Sequence, residues 1–336
     1  MKKTISAAVA LSIFAAPAIA ANLEHPLYMP YKGAVYSKTS AGVMYKITDD
    51  TDAQVKKNHD GATEFPVWRV HEELGYGILD NLEAYAKFGY THDGDIDRKG
   101  MHLGRAGLKY RAINTYSGWV WDLYADAQLG GISEMSGSYA ANGFSYDNYS
   151  NGRWGFHVGT QVGKVWHKFS SAGFIEVLRT FGNDNNSIDI SDSALSGLVA
   201  MNLLPSEISV DLKSTTEVNA GLKMFYQLNN RWSFGGGLTY KHHADNGVEG
   251  LATEYNDVAI PGMGQLSTIV GALEDQLSDM NDGFDEYIIN LTAAYQLTDM
   301  IQGVIYGEYT FDTAHEQSQN GTDVKAEAGV RLNVQF

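Results

Sequence analysis

The charged side chains of this sequence fall on alternate positions within otherwise apolar segments, a spacing that sets them in a single row along an extended chain. Arg105, Lys109 and Arg111 share one such row, and Asp122 and Asp126 share the next. Arg69, His71 and Glu73, then Glu83 and Lys87, occupy the two rows before them. Later rows hold Glu176, Arg179, Lys223, Lys241, His243, Glu308, Asp312, Lys325, Glu327 and Arg331. Opposed cations and anions on neighbouring segments serve one of two ends. Across water they impose a transverse field on passing solutes; at close range they pair and plug the space. Covalent chemistry has less support. His242 and His243, with Asp245 and Asp285, are the acid/base candidates. Adjacent strand residues face opposite sides, so one imidazole at most serves a given site. Neither Gly-x-Ser-x-Gly nor His-Glu-x-x-His occurs. Gly235-Gly236-Gly237 reads as a strand bend or close-packing patch rather than a phosphate cradle. No catalytic residue, metal site or cofactor is expected.

The elements that must position these rows are strands. Period-two segments fall at 35–48, 65–79, 82–92, 102–113, 118–130, 153–166, 171–181, 216–228, 232–243, 286–298, 301–313 and 324–336. Short connections (Asp80-Asn81, Asn114 to Ser117, His167 to Ser170, Asn229 to Arg231, Thr298 to Met300) alternate with long ones at 49–64, 93–101, 131–152, 182–215, 244–285 and 314–323. In 118–130, Trp119, Trp121, Leu123, Ala125, Ala127 and Leu129 oppose Asp122, Asp126 and Gln128; in 286–298, Tyr287, Ile289, Leu291, Ala293, Tyr295 and Leu297 oppose Asn290, Thr292 and Gln296. The segment 171–181 alternates poorly, and its register is open. Aromatic residues collect near strand ends, among them Trp68, Tyr90, Tyr110, Trp119, Trp154, Trp166, Trp232, Tyr240, Tyr287, Tyr295, Tyr309 and Phe311, as amphipathic rings do at a lipid headgroup level.

The two ends of the chain add addresses. Lys2 and Lys3 precede an apolar run from Ile5 to Ile19 and the small-x-small stop Ala18-Ile19-Ala20. That is the layout of a cleaved secretory signal, residues 1–20, with processing expected between Ala20 and Ala21. At the other end VKAEAGVRLNVQF alternates to the last residue, Phe336. This strand resembles the C-terminal targeting strand of bacterial outer-membrane proteins, which makes Phe336 an expected assembly signal. Together the signal, the terminal strand and the loop asymmetry resemble the Gram-negative outer-membrane β-barrel class, porin-like in character. The resemblance implies an all-β, antiparallel up-and-down barrel of about twelve strands over residues 21–336, with short periplasmic turns and long extracellular loops. Two further alternating segments, 187–191 and 207–212, are read as an extramembrane hairpin continuing strands seven and eight; a fourteen-strand barrel is the alternative.

Composition bounds the function. The chain has 36 Gly, 20 Tyr, 6 Pro and no Cys in 336 residues, so stability comes from a closed sheet without disulfides. A net charge of −16 argues against nucleic acid, which needs a basic face. The apolar face then meets lipid and the charged face lines the lumen. The expected pore-lining set is Arg69, His71, Lys87, Arg105, Lys109, Arg111, Asp122, Asp126, Glu308, Asp312 and Arg331, with the cations of strands two to four as the constriction. The leading reading is passive diffusion of small hydrophilic solutes or ions. The alternatives are a closed structural or adhesive barrel acting through its long loops, and a hydrolase. Expected partners are outer-membrane lipid, lipopolysaccharide and the outer-membrane assembly machinery, with homo-oligomerisation left open. Apolar spacing also predicts short loop helices at 193–204 and 264–280.

Overall fold

The computed structural model describes residues 22–47, 67–93, 98–130, 135–136, 145–147, 153–189, 196–202, 204–244, 248–249, 259–260, 264–265, 268, 271, 283–312 and 324–336. Twelve long antiparallel strands close into one barrel. They are β1 (Val35–Ile47), β2 (Val67–Leu79), β3 (Leu82–Asp93), β4 (Arg98–Asn114), β5 (Trp119–Gln128), β6 (Gly155–Trp166), β7 (Phe169–Thr180), β8 (Thr215–Gln227), β9 (Trp232–His243), β10 (Phe284–Gln296), β11 (Ile301–Asp312) and β12 (Val324–Gln335). Each pairs with its neighbours in sequence, and β12 pairs with β1 in continuous register from Tyr36↔Gln335 to Ile47↔Val324. Phe336 extends that seam, since its backbone N–H and C=O both bond to Val35. No open edge is left on the wall, so the ladder is complete without a partner chain.

Solvation is inverted relative to a water-soluble protein. Leu291 is 65% exposed, Ile305 68% and Val330 60%, all on the outer face, while Asp122 and Asn333 have no exposed surface. Along β5 exposure alternates strictly, with Trp119, Trp121 and Leu123 out and Asp122 and Asp126 in. Exposed aromatics band the two rims of the apolar belt: Tyr110, Trp119, Trp166 and Trp232 near the short turns, and Trp68, Tyr90, Trp154 and Tyr287 near the long loops. No described helix is long and apolar enough to cross a membrane.

The poor alternation of β7 has a physical reason. Its inward row includes Ala172, Phe174 and Leu178, all buried. Ala172 joins Val120 and Leu27 in an apolar cluster, and Phe174 underlies the Lys223 ammonium at 4.4 Å. The two alternating segments of 182–215 form Asn183–Asp189 and Glu207–Leu212, paired outside the barrel in a small sheet with 145–147 and 248–249, so the count stays at twelve. A short helix, Ser196–Ala200, lies between them. Of the second expected helix, Gly264–Gln265 pairs as a strand with Ala259–Ile260, and most of the remainder lies outside the described residues.

Candidate functional site

The lumen is built from the inward rows and from a part that the strand pattern does not announce, residues 22–34. This segment precedes β1 and folds into the mouth beside the short turns. Two consecutive turns compact it, through His25 N–H to Asn22 O and Tyr28 N–H to His25 O, each at 3.0 Å. Asn22 donates to Gln227 Oε1 (3.0 Å) and Ser233 Oγ (2.8 Å) and accepts from Gln302 Nε2 (3.1 Å). Glu24 takes Arg331 Nη1 at 3.0 Å and Asn333 Nδ2 at 2.9 Å. Arg111 and Lys109 each donate at 2.7 Å to a backbone carbonyl of the segment, Leu27 O and Tyr28 O. The His25 ring meets Phe225 edge-on at 5.0 Å. Burial, with Arg111 and Lys109 close by, pushes the His25 imidazole down to about 4, so it is neutral in its seat.

Above this floor is an internal space of about 400 Å³. Its walls include Lys38, Lys87, Arg105, Lys109 and Lys223, together with Glu73, Glu83, Glu176 and Glu308. Glu73 lies between Lys38 (3.1 Å) and Lys87 (3.6 Å). Four tyrosines share the polar row and hold carboxylates in place: Tyr36 donates to Glu73 and Glu83, Tyr85 to Asp126, Tyr124 to Glu176 and Tyr306 to Glu327. Glycine makes room for three of these rings, because a Cβ at Gly75, Gly159 or Gly329 would overlap Tyr36, Tyr124 or Tyr306 respectively. Their signal was present in the sequence: Tyr85 lies in phase with Glu83 and Lys87, and Tyr124 with Asp122 and Asp126.

The expected pore-lining residues divide by use. Arg111 forks onto Asp122 (Nε to Oδ1 2.7 Å, Nη2 to Oδ2 3.0 Å), and Gln161 Nε2 donates to the same carboxylate at 2.8 Å. Asp126 takes His157 Nδ1 at 2.7 Å and faces Arg105 Nε at 4.0 Å. These aspartates are therefore embedded in the wall, with Arg105, Lys109 and Arg111 drawn onto them, onto Glu83 and onto the floor. Lys87, Glu308 and Arg331 border the open space, and Arg69 pairs with Glu327 at 3.1 Å nearer the outer rim. His71 meets His102, a residue that the sequence analysis did not single out. The side chain of Asp312 lies outside the described residues.

At the outer rim His242 Nδ1 is 2.8 Å from Asp285 Oδ1, and Tyr240 donates to that oxygen at 2.9 Å. His243 turns the other way, to Glu217 and Glu286. The two imidazoles serve different faces, as the alternation required. Gly235 and Gly237 pack against inward Thr292 and Asn290, a close-packing use.

Among solved structures, an outer membrane channel from Pseudomonas putida F1 superposes with a TM-score of 0.54 at 12% identity, over 92% of this chain and 97% of that one. The chain has the fold of an outer-membrane β-barrel. More distant likenesses to this barrel are the NanC porin (TM-score 0.42, 10% identity, 89% and 98% covered) and the Pseudomonas putida toluene transporter TodX (0.42, 9%, 90% and 88%). No family model and no curated protein sequence matches the barrel.

Proposed function

We propose that this barrel is a passive channel of the Gram-negative outer membrane for small hydrophilic solutes or ions, narrowed at its periplasmic mouth by residues 22–34. One observation carries the reading: a charged cavity of about 400 Å³ is enclosed by a wall whose outer face is apolar. Ionised groups in a bore stay favourable when water and counter-charges reach them, whereas a sealed core would carry a large desolvation cost. On this reading the chain is secreted, processed after Ala20 and assembled through the strand ending at Phe336. It is then surrounded by phospholipid and lipopolysaccharide, and it performs no covalent chemistry.

A second reading is favoured by the many bonds that seat residues 22–34: a closed barrel whose role lies in its outer loops. Planar-bilayer recording separates the two. The mature protein should give discrete conductance steps, and a variant lacking residues 22–31 should give steps several-fold larger. Silence from both, with correctly assembled barrels, would reject the channel and leave the closed barrel.

A further inference from the structure

We propose that His71 and His102 form a binding site for a divalent transition-metal ion, Cu2+ above all, in the outer half of the lumen. His71 is on the inward row of β2. Counted by alternation from Arg105, His102 belongs outside, yet it is the extra residue of a bulge in β4: Gly89 pairs with Leu103, and the next residue, Tyr90, pairs with Met101. A bulge re-aims a side chain. This one brings the two rings together, Nε2 to Nε2 at 2.9 Å and nearly perpendicular at 87°. The rings lie across Gly89, where a Cβ would come within 2.5 Å of His102 Cε1 and 2.8 Å of His71 Cδ2. Thr91 Oγ1 is 2.7 Å from His102 Nδ1. With Nδ1–H donating to that hydroxyl, Nε2 keeps its lone pair toward His71, the outer-shell arrangement that orients metal-binding imidazoles.

Two imidazole nitrogens this close share either one proton or one metal ion. Nitrogens at adjacent corners of a tetragonal ion, about 2.0 Å from it, stand roughly 2.8 Å apart, against about 3.3 Å at a tetrahedral angle. The observed 2.9 Å therefore suits Cu2+ or Ni2+ with less adjustment than Zn2+. Among the described residues no third His, Asp or Glu completes a cluster.

The test is calorimetric titration of the full mature protein in detergent with CuCl2, with MgCl2 as the hard-ion control, and it needs no channel activity. The expected result is one Cu2+ per barrel, weaker Ni2+ and Zn2+, and silence from Mg2+. His71→Gln and His102→Gln should each weaken copper by at least ~10-fold, and Thr91→Val by about 10-fold, the lower end of outer-shell effects. Electron paramagnetic resonance of the copper complex should show nitrogen coordination that is lost in the double variant H71Q/H102Q. Copper affinity unchanged in that double variant overturns the assignment. Should the double variant fail to assemble, Thr91→Val decides, since both rings remain and an unchanged affinity there overturns it equally.

Discussion

In the half of the lumen beside the short turns, Asp122 is wholly enclosed and takes a two-pronged Arg111, Gln161 and a nearby Lys109, while Arg111 reaches on to the carbonyl of Leu27. In the outer half, Arg69 meets Glu327 through a single nitrogen at 3.1 Å, with 30% of its side chain open to the lumen. The same residue types are used in both places. In the first they are structural: charge is desolvated, multiply bonded and committed to holding the floor. In the second the cation alone keeps water: Glu327 is 9% exposed and also takes Tyr306, while Arg69 stays partly open and able to meet a solute. Charge in a bore is therefore not by itself a filter; its degree of satisfaction decides what it does.

The contrast is open to attack at both ends. Asp122→Ala should be the most damaging change, leaving Arg111 and Lys109 enclosed without their carboxylate, at a cost of about 3–5 kcal/mol in unfolding experiments in lipid vesicles. A loss below ~1 kcal/mol would erase the distinction between the halves. Gly75→Val should follow at about 1–3 kcal/mol, because the new side chain enters the space of the Tyr36 ring; the same measurement checks it. A third change acts on the floor alone. His25 titrates at about 4 in its seat against an ordinary 6.5, so a released segment binds the proton more readily. Seating is fully favoured above about 6.5 and weakens as pH falls from there toward 4. Bilayer conductance should rise over that interval, and His25→Phe should flatten the response. Glu327→Gln should cost least, about 0.5–1.5 kcal/mol, because the amide oxygen can still accept from Tyr306, and its clearer effect should be a shifted reversal potential under a salt gradient.

The strands were legible because one physical rule governs every residue of a thin wall: each side chain faces either hydrocarbon or lumen, and the period is two. Trp119 through Gln128 obey it residue by residue, and the expected strand limits lie within a few residues of those found. Departures from the rule were where reading failed, and each marks a local cause. At β7 the inward row turns apolar because Ala172 receives Leu27. At His102 a single inserted residue reverses the phase. Residues 22–34 have no periodicity to read: their partners lie up to 309 positions away, and several of their bonds come from backbone carbonyls, which leave no mark in side-chain chemistry. The cations of strand four were found as inward groups, but whether they faced water or a carboxylate depended on that unseen segment.

The long reach of Asn22 also orders events during biogenesis. Its acceptors and donor belong to β8, β9 and β11, and those of Glu24 to β12, so the seat of residues 22–34, begun by Arg111 and Lys109 of β4, is complete only once the last hairpins have formed. Docking is thus a receipt for completion: a chain stalled before its final turn would keep its head half-fastened, a difference by which proteases and chaperones can tell it from a finished molecule.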